Sequence, residues 1–365
     1  MSIISIVPRL PPAIDGVGDY ALRLAQQLHQ DFHINTHFIV GDANWHSDTT
    51  IEGFTVSSVD SRSIETLLAA LMNAPTFTTI LLHYVGHGYA QRGCPFWLVN
   101  ALEQWKVSHP QVRLVTMFHE LYAVGVPWKY DFWLSLAQQN LAARIARLSD
   151  RCLTSGQRYA TALHRLSQGK HMQVPTLPIF SNVGEPQPIL PLANRQPRLV
   201  IFGQYHTKVR VYRECLSSLA AICQTLNLKE IWDLGPATGL SPAAIQTIPV
   251  VEVGLLSAAD ISEILSTSAV GFLHYDPRRL AKSGVFAAYC AHGLLPVNHQ
   301  PSVHAMDGLE PGINYWSATT HSMLSSSANL PQTIADNAFA WYQTHSLATQ
   351  AQQFADCLLD TRIAA

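Results

Sequence analysis

Short apolar runs alternate with amphipathic segments along almost the whole length of this 365-residue chain. Its first two segments show the pattern. Ser2–Val7 has the apolar composition of a buried strand, and residues 20–28 place their apolar side chains at helical spacing. Strand–helix alternation of this kind builds a parallel sheet with helices on both faces. The sequence therefore predicts an α/β fold with doubly wound parallel sheets.

A proline-rich segment interrupts the alternation in the middle of the chain. Six prolines lie between residues 174 and 197, which prevents a long helix and is typical of a linker. We therefore predict a first Rossmann-like domain at 1–180, a linker at 181–197 and a second Rossmann-like domain at 198–330. Helices at 331–365 are expected to pack back on the first domain. Ligands of such sheets bind at the carboxyl ends of the strands, which favours the cleft between the domains.

Composition excludes several classes of protein. An apolar fraction of 48% excludes disorder, and 23 basic against 25 acidic residues argue against a nucleic-acid partner. No apolar run approaches the ~20 residues of a membrane-spanning helix, and the amino terminus lacks the basic region of a secretory signal. Six scattered cysteines are typical of reduced thiols. The predicted location is cytoplasmic.

The turn between the first strand and the first helix contains Gly16, Val17 and Gly18. Glycines allow close approach of a ligand, and the amides of a helix start favour phosphate. The loop loosely matches a dinucleotide-binding fingerprint and is a candidate donor-binding segment. The alternative is a plain tight turn in which Asp19 caps the helix.

Histidines follow two predicted strands of the first half. His83 and His87 lie at the end of one strand, and His119 with Glu120 at the end of the next. The His-x-x-x-His spacing converges on a metal only within a helix, which the neighbouring glycines disfavour, so no metal is expected. A neutral His119 that donates a hydrogen bond to a sugar is the favoured interpretation.

Two segments of the second half combine a glycine turn with basic residues at a helix start. The first contains Gly203, Lys208 and Arg210. The second contains Lys282, Ser283 and Gly284. Both are suited to a diphosphate, although an ordinary solvated helix start explains each of them alone.

Four short motifs occur in an order and spacing that point to a known family. They are Gly16 to Gly18 with residues 20–22, residues 118–120, residues 181–184, and residues 291–297. Through them nearly the whole chain resembles glycosyltransferases of the GT-B fold. It is most similar to the retaining family 4, or group 1, which contains bacterial mannosyl- and glucosyltransferases and sucrose-phosphate synthase.

The resemblance implies transfer of a sugar from a nucleotide-diphosphate sugar to a glycan, lipid-linked or small-molecule acceptor, with no cofactor or metal. Lys208, Arg210 and the amides of Ser283 and Gly284 would neutralise the leaving diphosphate. Gly16, Val17, Gly18, Gly203 and Lys282 complete the implied donor-binding set. His83, His119 and Glu120 are the implied catalytic residues.

The sequence departs from the family at a Glu-x7-Glu pattern that normally supports the donor. Leu280 and Ala288 occupy the corresponding positions. Two alternatives therefore stay open. The first is a non-hydrolysing sugar-nucleotide epimerase, and the second is a sugar-nucleotide- or glycan-binding relative without activity.

Basic residues cluster in or beside two predicted helices of the first half, namely Arg144, Arg147, Arg151, Arg158 and Arg165. Basic amphipathic helices can rest on an anionic lipid surface, and lipid-linked acceptors are common in the resembling family. The sequence allows peripheral contact with the inner face of a membrane. A solvated basic face is the alternative.

Overall fold

The structure is a computed structural model, and it describes residues 1–13, 15–46, 49–123, 130–302, 304–318 and 330–359. The chain divides into two compact units. The first unit comprises Met1–Leu177 together with Leu347–Ala365, and the second comprises Pro178–Ser346.

The first unit is built on a seven-stranded sheet with the strand order β3-β4-β2-β1-β5-β6-β7. The strands are β1 (Ser2–Val7), β2 (Asn35–Val40), β3 (Thr50–Ile51), β4 (Phe54–Ser58), β5 (Thr79–Tyr84), β6 (Arg113–Phe118) and β7 (Arg151–Thr154). All neighbouring strands are parallel except the short β3, which is antiparallel to β4. Such a sheet places the ends of β5 and β6 side by side.

Helices cover both faces of this sheet. They are α1 (Gly16–Phe32), α2 (Ile64–Asn73), α3 (Gly86–Tyr89), α4 (Phe96–Ser108), α5 (Tyr130–Leu148), α6 (Gln157–Leu166) and α12 (Leu347–Leu359). Phe38 and Val40 of β2 belong to one apolar cluster and Ile39 to another, because successive side chains point to opposite faces. Among the described residues, no helix is both long and apolar enough to cross a membrane.

The second unit repeats this architecture with the strand order β10-β11-β9-β8-β12-β13-β14. Its strands are β8 (Gln196–Phe202), β9 (Glu230–Leu234), β10 (Ala244–Ile245), β11 (Ile248–Gly254), β12 (Ser268–Leu273), β13 (Leu295–Asn298) and β14 (Trp316–Ser317). Its helices are α7 (Tyr205–Glu214), α8 (Leu216–Thr225), α9 (Ala258–Thr267), α10 (Gly284–Ala291) and α11 (Leu330–Gln343). The predicted fold of two doubly wound, mostly parallel sheets is confirmed.

The structure assigns the predicted linker and tail differently from the sequence. Residues 181–197 belong to the second unit, where the Ser181 amide donates to the Tyr342 hydroxyl over 2.8 Å. The two final helices divide between the units. Helix α11 packs on α10 and β13 of the second unit, because its apolar face with Ile334 and Ala338 is buried there. Only α12 packs against the first unit, on α1.

Candidate functional site

A cavity of about 130 Å³ opens in the second unit at the carboxyl ends of β8 and β12. Its wall combines apolar residues of the strand ends, such as Phe202 and Leu273, with polar residues that follow them. Four of the residues predicted to bind the donor meet here, namely Lys208, Lys282, Ser283 and Gly284. The carboxyl edge of a parallel sheet is where ligands of such folds bind.

The start of α10 forms one side of this cavity. The Ser283 hydroxyl caps the helix by accepting from the Phe286 amide at 3.2 Å. The first backbone hydrogen bond of the helix runs from the Ala287 amide to the Ser283 carbonyl, so the amides of Gly284 and Val285 precede it. Amides at this end of a helix carry partial positive charge and favour an anion. Lys282, directly before the cap, adds a full positive charge to the same wall.

Lys208 takes part in a buried ion pair. Its ammonium lies 2.6 Å from Oδ1 of Asp233 and donates to the Pro236 carbonyl at 2.7 Å. The Tyr212 hydroxyl donates to the other oxygen of Asp233 at 2.7 Å. The lysine charge is therefore matched inside the protein, and contact of Lys208 with a diphosphate stays a prediction.

Two glycine turns lie beside this ion pair. Gly203 follows β8 with a φ of +147°, and Gly235 follows β9 with a φ of +109°, which favours glycine at both positions. A Cβ atom on Gly235 would lie 2.4 Å from the Gly203 carbonyl oxygen. The two turns therefore touch through their backbones, and Gly203 has a packing role whether or not it binds a donor.

The residues that line the cavity differ from the predicted donor-binding set at Arg210 and His274. Arg210 is exposed on α7 and is not among the described residues that line the cavity. His274, to which the sequence assigned no role, lines the cavity directly after β12. Its Nε2 lies 2.9 Å from the Gln300 amide nitrogen, and burial lowers its pKa. Its place at a strand end was the signal that could have identified it.

The carboxyl ends of β5 and β6 bring together His83 and His119 in the first unit. Nδ1 of His83 lies 3.1 Å from Nε2 of His119. His83 has 0% exposed surface, and His119 has 7%. Burial lowers the pKa of His83 to about 3, so its imidazole is neutral at physiological pH. His83 has no exposed surface in this structure, and the catalytic role predicted for it stays a prediction.

Glu120 lies beside this pair but points into solvent. Its side chain is 51% exposed, and its Oε2 lies 3.8 Å from Nδ1 of His87. An exposed carboxylate at a strand end is accessible to a ligand, so a catalytic role for Glu120 stays a prediction. Among the described residues, no group of three histidine, cysteine or acidic side chains is arranged to hold a metal ion.

The glycine loop before α1 binds a carboxylate of its own chain. Oδ1 of Asp15 accepts from the amides of Val17 at 2.8 Å and Gly18 at 3.0 Å. The helix cap is therefore Asp15 and not Asp19, because Asp15 holds the extended conformation that precedes a helix. The two amides that were predicted to face a phosphate are occupied by this cap. A donor-binding role for Gly16, Val17 and Gly18 stays a prediction.

Leu280 and Ala288, at the positions of the missing acidic pair, are both 1% exposed. Leu280 lies in a short 3₁₀ turn before α10, and Ala288 lies within α10. Both positions are part of the apolar interior of the second unit. The structure therefore offers neither position as a donor-binding carboxylate.

The five arginines considered for membrane contact differ in their surroundings. Arg144 of α5 pairs with Glu103 and donates to the Asn100 side chain at 2.6 Å. Arg158 and Arg165 of α6 are exposed. Only the α6 arginines therefore combine exposure with a shared helix.

No protein-family profile and no curated protein matches the sequence. Solved structures do match. An alpha-glucosyltransferase in complex with UDP superposes with a TM-score of 0.59 at 11% identity, over 98% of this chain and 99% of that chain. WaaG, a glycosyltransferase involved in lipopolysaccharide biosynthesis, gives 0.57 at 12% identity with the same coverage. The lipopolysaccharide outer core galactosyltransferase WaaB gives 0.59 at 8% identity, again over 98% and 99%.

These similarities extend over both units and establish the fold. They confirm the predicted GT-B architecture of two Rossmann-like domains. Four structures of an alpha-glucosyltransferase also contain DNA. For the present chain, the absence of a nucleic-acid partner stays a prediction from its charge balance.

Proposed function

We propose that this protein is a glycosyltransferase that moves a sugar from a nucleotide-diphosphate sugar to an acceptor. The observation that supports the proposal best is the cavity of the second unit. Lys282 and the start of α10 line it at the carboxyl ends of β8 and β12, where ligands of such sheets bind. The fold is shared with a glucosyltransferase that binds UDP, which supports the same ligand class.

The chemistry proposed for this cavity is stabilisation of the leaving diphosphate. Negative charge develops on the diphosphate as the sugar departs, and fixed positive groups lower the barrier by binding that charge. The amides of Gly284 and Val285 and the Lys282 ammonium supply such groups. Lys208 acts indirectly in this proposal, since its ammonium is paired with Asp233. Arg210, exposed on α7 outside the cavity lining, is proposed to add positive charge near the diphosphate.

The acceptor and sugar are proposed to be recognised by the first unit, at the ends of β5 and β6. His119 is slightly exposed there, and Glu120 is open to solvent. A neutral imidazole suits a hydrogen bond to a sugar hydroxyl, and a carboxylate can accept a proton. A glycan or lipid-linked acceptor is the proposed class.

Three finer properties are also proposed. UDP-sugar is the first donor to test, because the glucosyltransferase of the same fold was solved with UDP. Retention of the anomeric configuration follows from the family resemblance. Metal independence is supported by Lys282 and the α10 amides, which supply positive charge to a diphosphate.

A ligand panel tests the proposal. The melting temperature is measured with uridine, guanosine, adenosine and thymidine diphosphates, each with and without a chelator. A ligand at about 100 times its dissociation constant stabilises the folded state by about 2.7 kcal/mol. We expect one diphosphate to raise the melting temperature in the presence of the chelator. If none does so under either condition, the donor site is wrong.

The buried Leu280 and Ala288 favour a second candidate, a sugar-nucleotide-binding protein without transferase activity. Both candidates predict nucleotide binding in the second unit. They differ in turnover, which is measured as release of the nucleoside diphosphate from its sugar with a panel of acceptors. Turnover without any acceptor, with a new sugar epimer as product, would instead identify an epimerase.

Peripheral membrane contact is proposed for the exposed arginines of α6. Flotation with anionic vesicles tests it, with Arg158→Gln/Arg165→Gln as the variant. Arg144 is left intact because it pairs with Glu103. Equal flotation of variant and parent would assign these arginines to an ordinary solvated face.

A further inference from the structure

His83 and His119 are joined in an almost coplanar pair. Strands β5 and β6 are parallel neighbours, with Tyr84 aligned to Phe118, so both histidines lie at the same sheet edge. Their ring planes are 20° apart, and Nδ1 of His83 lies 3.1 Å from Nε2 of His119. Both the distance and the ring geometry fit one hydrogen bond between the imidazoles.

The Tyr20 side chain packs against both imidazoles and is itself held by Gln350. The Tyr20 ring of α1 stands edge-on to both imidazoles, at centroid distances of 5.9 Å from His83 and 5.1 Å from His119. The Tyr20 hydroxyl donates to Oε1 of Gln350 in α12 at 2.6 Å, and both side chains are buried. This wall holds the imidazoles in place and keeps water from His83.

One hydrogen bond joins the two imidazoles, and either ring can supply its proton. Nε2 of His83 is buried and has no hydrogen-bond partner among the described residues. If His119 supplied the proton, His83 would carry its own proton on Nε2, as a buried donor without an acceptor. Orphaned buried N–H groups are rare in proteins, and orphaned acceptors are less so. The favoured arrangement is donation from Nδ1 of His83 to Nε2 of His119.

We propose that His83 is a positioning residue that holds His119 with its proton on Nδ1. This inference rests on the proposed function, in which His119 contacts the sugar. By occupying Nε2, His83 restricts the contacts of His119 with a ligand to Nδ1. A histidine that donates from a fixed nitrogen can distinguish a sugar hydroxyl by its position.

Two variants separate this role from simple packing. In His83→Asn, the side-chain amide lies close to the former Nδ1 position and can donate to His119. In His83→Leu, a buried apolar side chain is kept and the hydrogen bond is lost. Long-range ¹⁵N spectra of labelled histidine report which ring nitrogen carries the proton, and His119→Gln identifies the His119 signals by their disappearance.

We expect the His119 proton on Nδ1 in the parent protein and in His83→Asn, and a shift toward Nε2 or a tautomer mixture in His83→Leu. A parent His119 with its proton on Nε2 would overturn the proposal. An unchanged His119 tautomer in His83→Leu would overturn it equally. If His83→Leu does not fold, the parent spectrum and His83→Asn still decide.

Kinetics give the second readout. With the donor identified by the ligand panel, His83→Leu should lower kcat/KM for transfer about tenfold, the value of one lost hydrogen bond, and His83→Asn should restore most of it. Nucleotide affinity should stay unchanged in both, because that cavity lies in the second unit. Nucleotide binding without turnover in the parent would reject the transferase function and leave the tautomer result standing. Full activity in His83→Leu would reject the positioning role.

Discussion

The Lys208 ammonium lies 2.6 Å from the Asp233 carboxylate, and neither side chain has any exposed surface. Lys208 belongs to α7 and lines the cavity of the second unit, whereas Asp233 belongs to β9. Removal of one partner from a buried ion pair leaves an uncompensated charge, which is far more costly than loss of the attraction itself. The pair therefore connects the stability of the second unit to its candidate site.

Lys208→Ala should lower the free energy of unfolding by about 3–5 kcal/mol, because the Asp233 charge stays buried without its partner. Urea denaturation measures this change. The double variant Lys208→Met/Asp233→Asn removes both charges and keeps an acceptor for Tyr212, so it should recover much of the loss. A fully stable Lys208→Ala protein with weakened nucleotide binding would instead make Lys208 a direct ligand of the diphosphate.

Lys282→Ala should weaken binding of the nucleoside diphosphate about tenfold, because a charge-assisted contact at the cavity wall is lost. Isothermal titration calorimetry measures the affinity. Lys229→Ala is the matched control, since Lys229 is exposed and precedes β9 at the opposite edge of the same sheet. Equal affinities of the two variants would remove Lys282 from the site.

Gly18→Ala should destabilise the first unit by about 1–3 kcal/mol or more, the usual cost of overpacking. A Cβ atom at this position would lie 2.2 Å from the Arg9 carbonyl oxygen, so the backbone must move. Gly16→Ala is the control, because its Cβ would meet no atom within 4 Å. Thermal unfolding of both variants measures the difference. Similar melting temperatures would show that the turn adapts.

Asp19→Asn should stabilise the protein at neutral pH. Burial and the nearby Asp15 charge raise the pKa of Asp19 from 3.8 to about 6. A raised folded-state pKa contributes stability that is present below 3.8 and is lost as pH rises through about 6. The variant and parent should therefore have similar stability at pH 3.5, and the variant should be more stable at pH 7.5. Parallel pH profiles of unfolding would contradict the assignment.

Strand positions in this chain could be predicted from the sequence because buried parallel strands are apolar along their whole length. Ser2–Val7 has the predicted bounds, and α1 contains the predicted helix at residues 20–28. The sequence did not predict which of the two units each of the last two helices joins. Helices α11 and α12 are both amphipathic, and their sequences do not show which sheet buries each apolar face.

The sequence predicted where several residues of the candidate site lie, but it did not predict their side-chain contacts. Lys282 and Ser283 were predicted from a basic residue at a helix start, and both line the cavity. The pairing of Lys208 with Asp233 and the enclosure of His83 depend on residues far apart in the chain. A strand-end rule identifies an edge of the sheet, but it does not show which side chains at that edge later become covered.

The return of α12 to the first unit has a consequence for biosynthesis. The helix packs on α1, the Gln350 side chain accepts from Tyr20, and the Arg113 guanidinium donates to the Cys357 and Leu358 carbonyls. A ribosome makes these partners only after the entire second unit. Part of the α1 surface of the nascent first unit therefore stays uncovered by α12 until the whole second unit has been translated. Chaperone binding during translation is expected to concentrate on that interval.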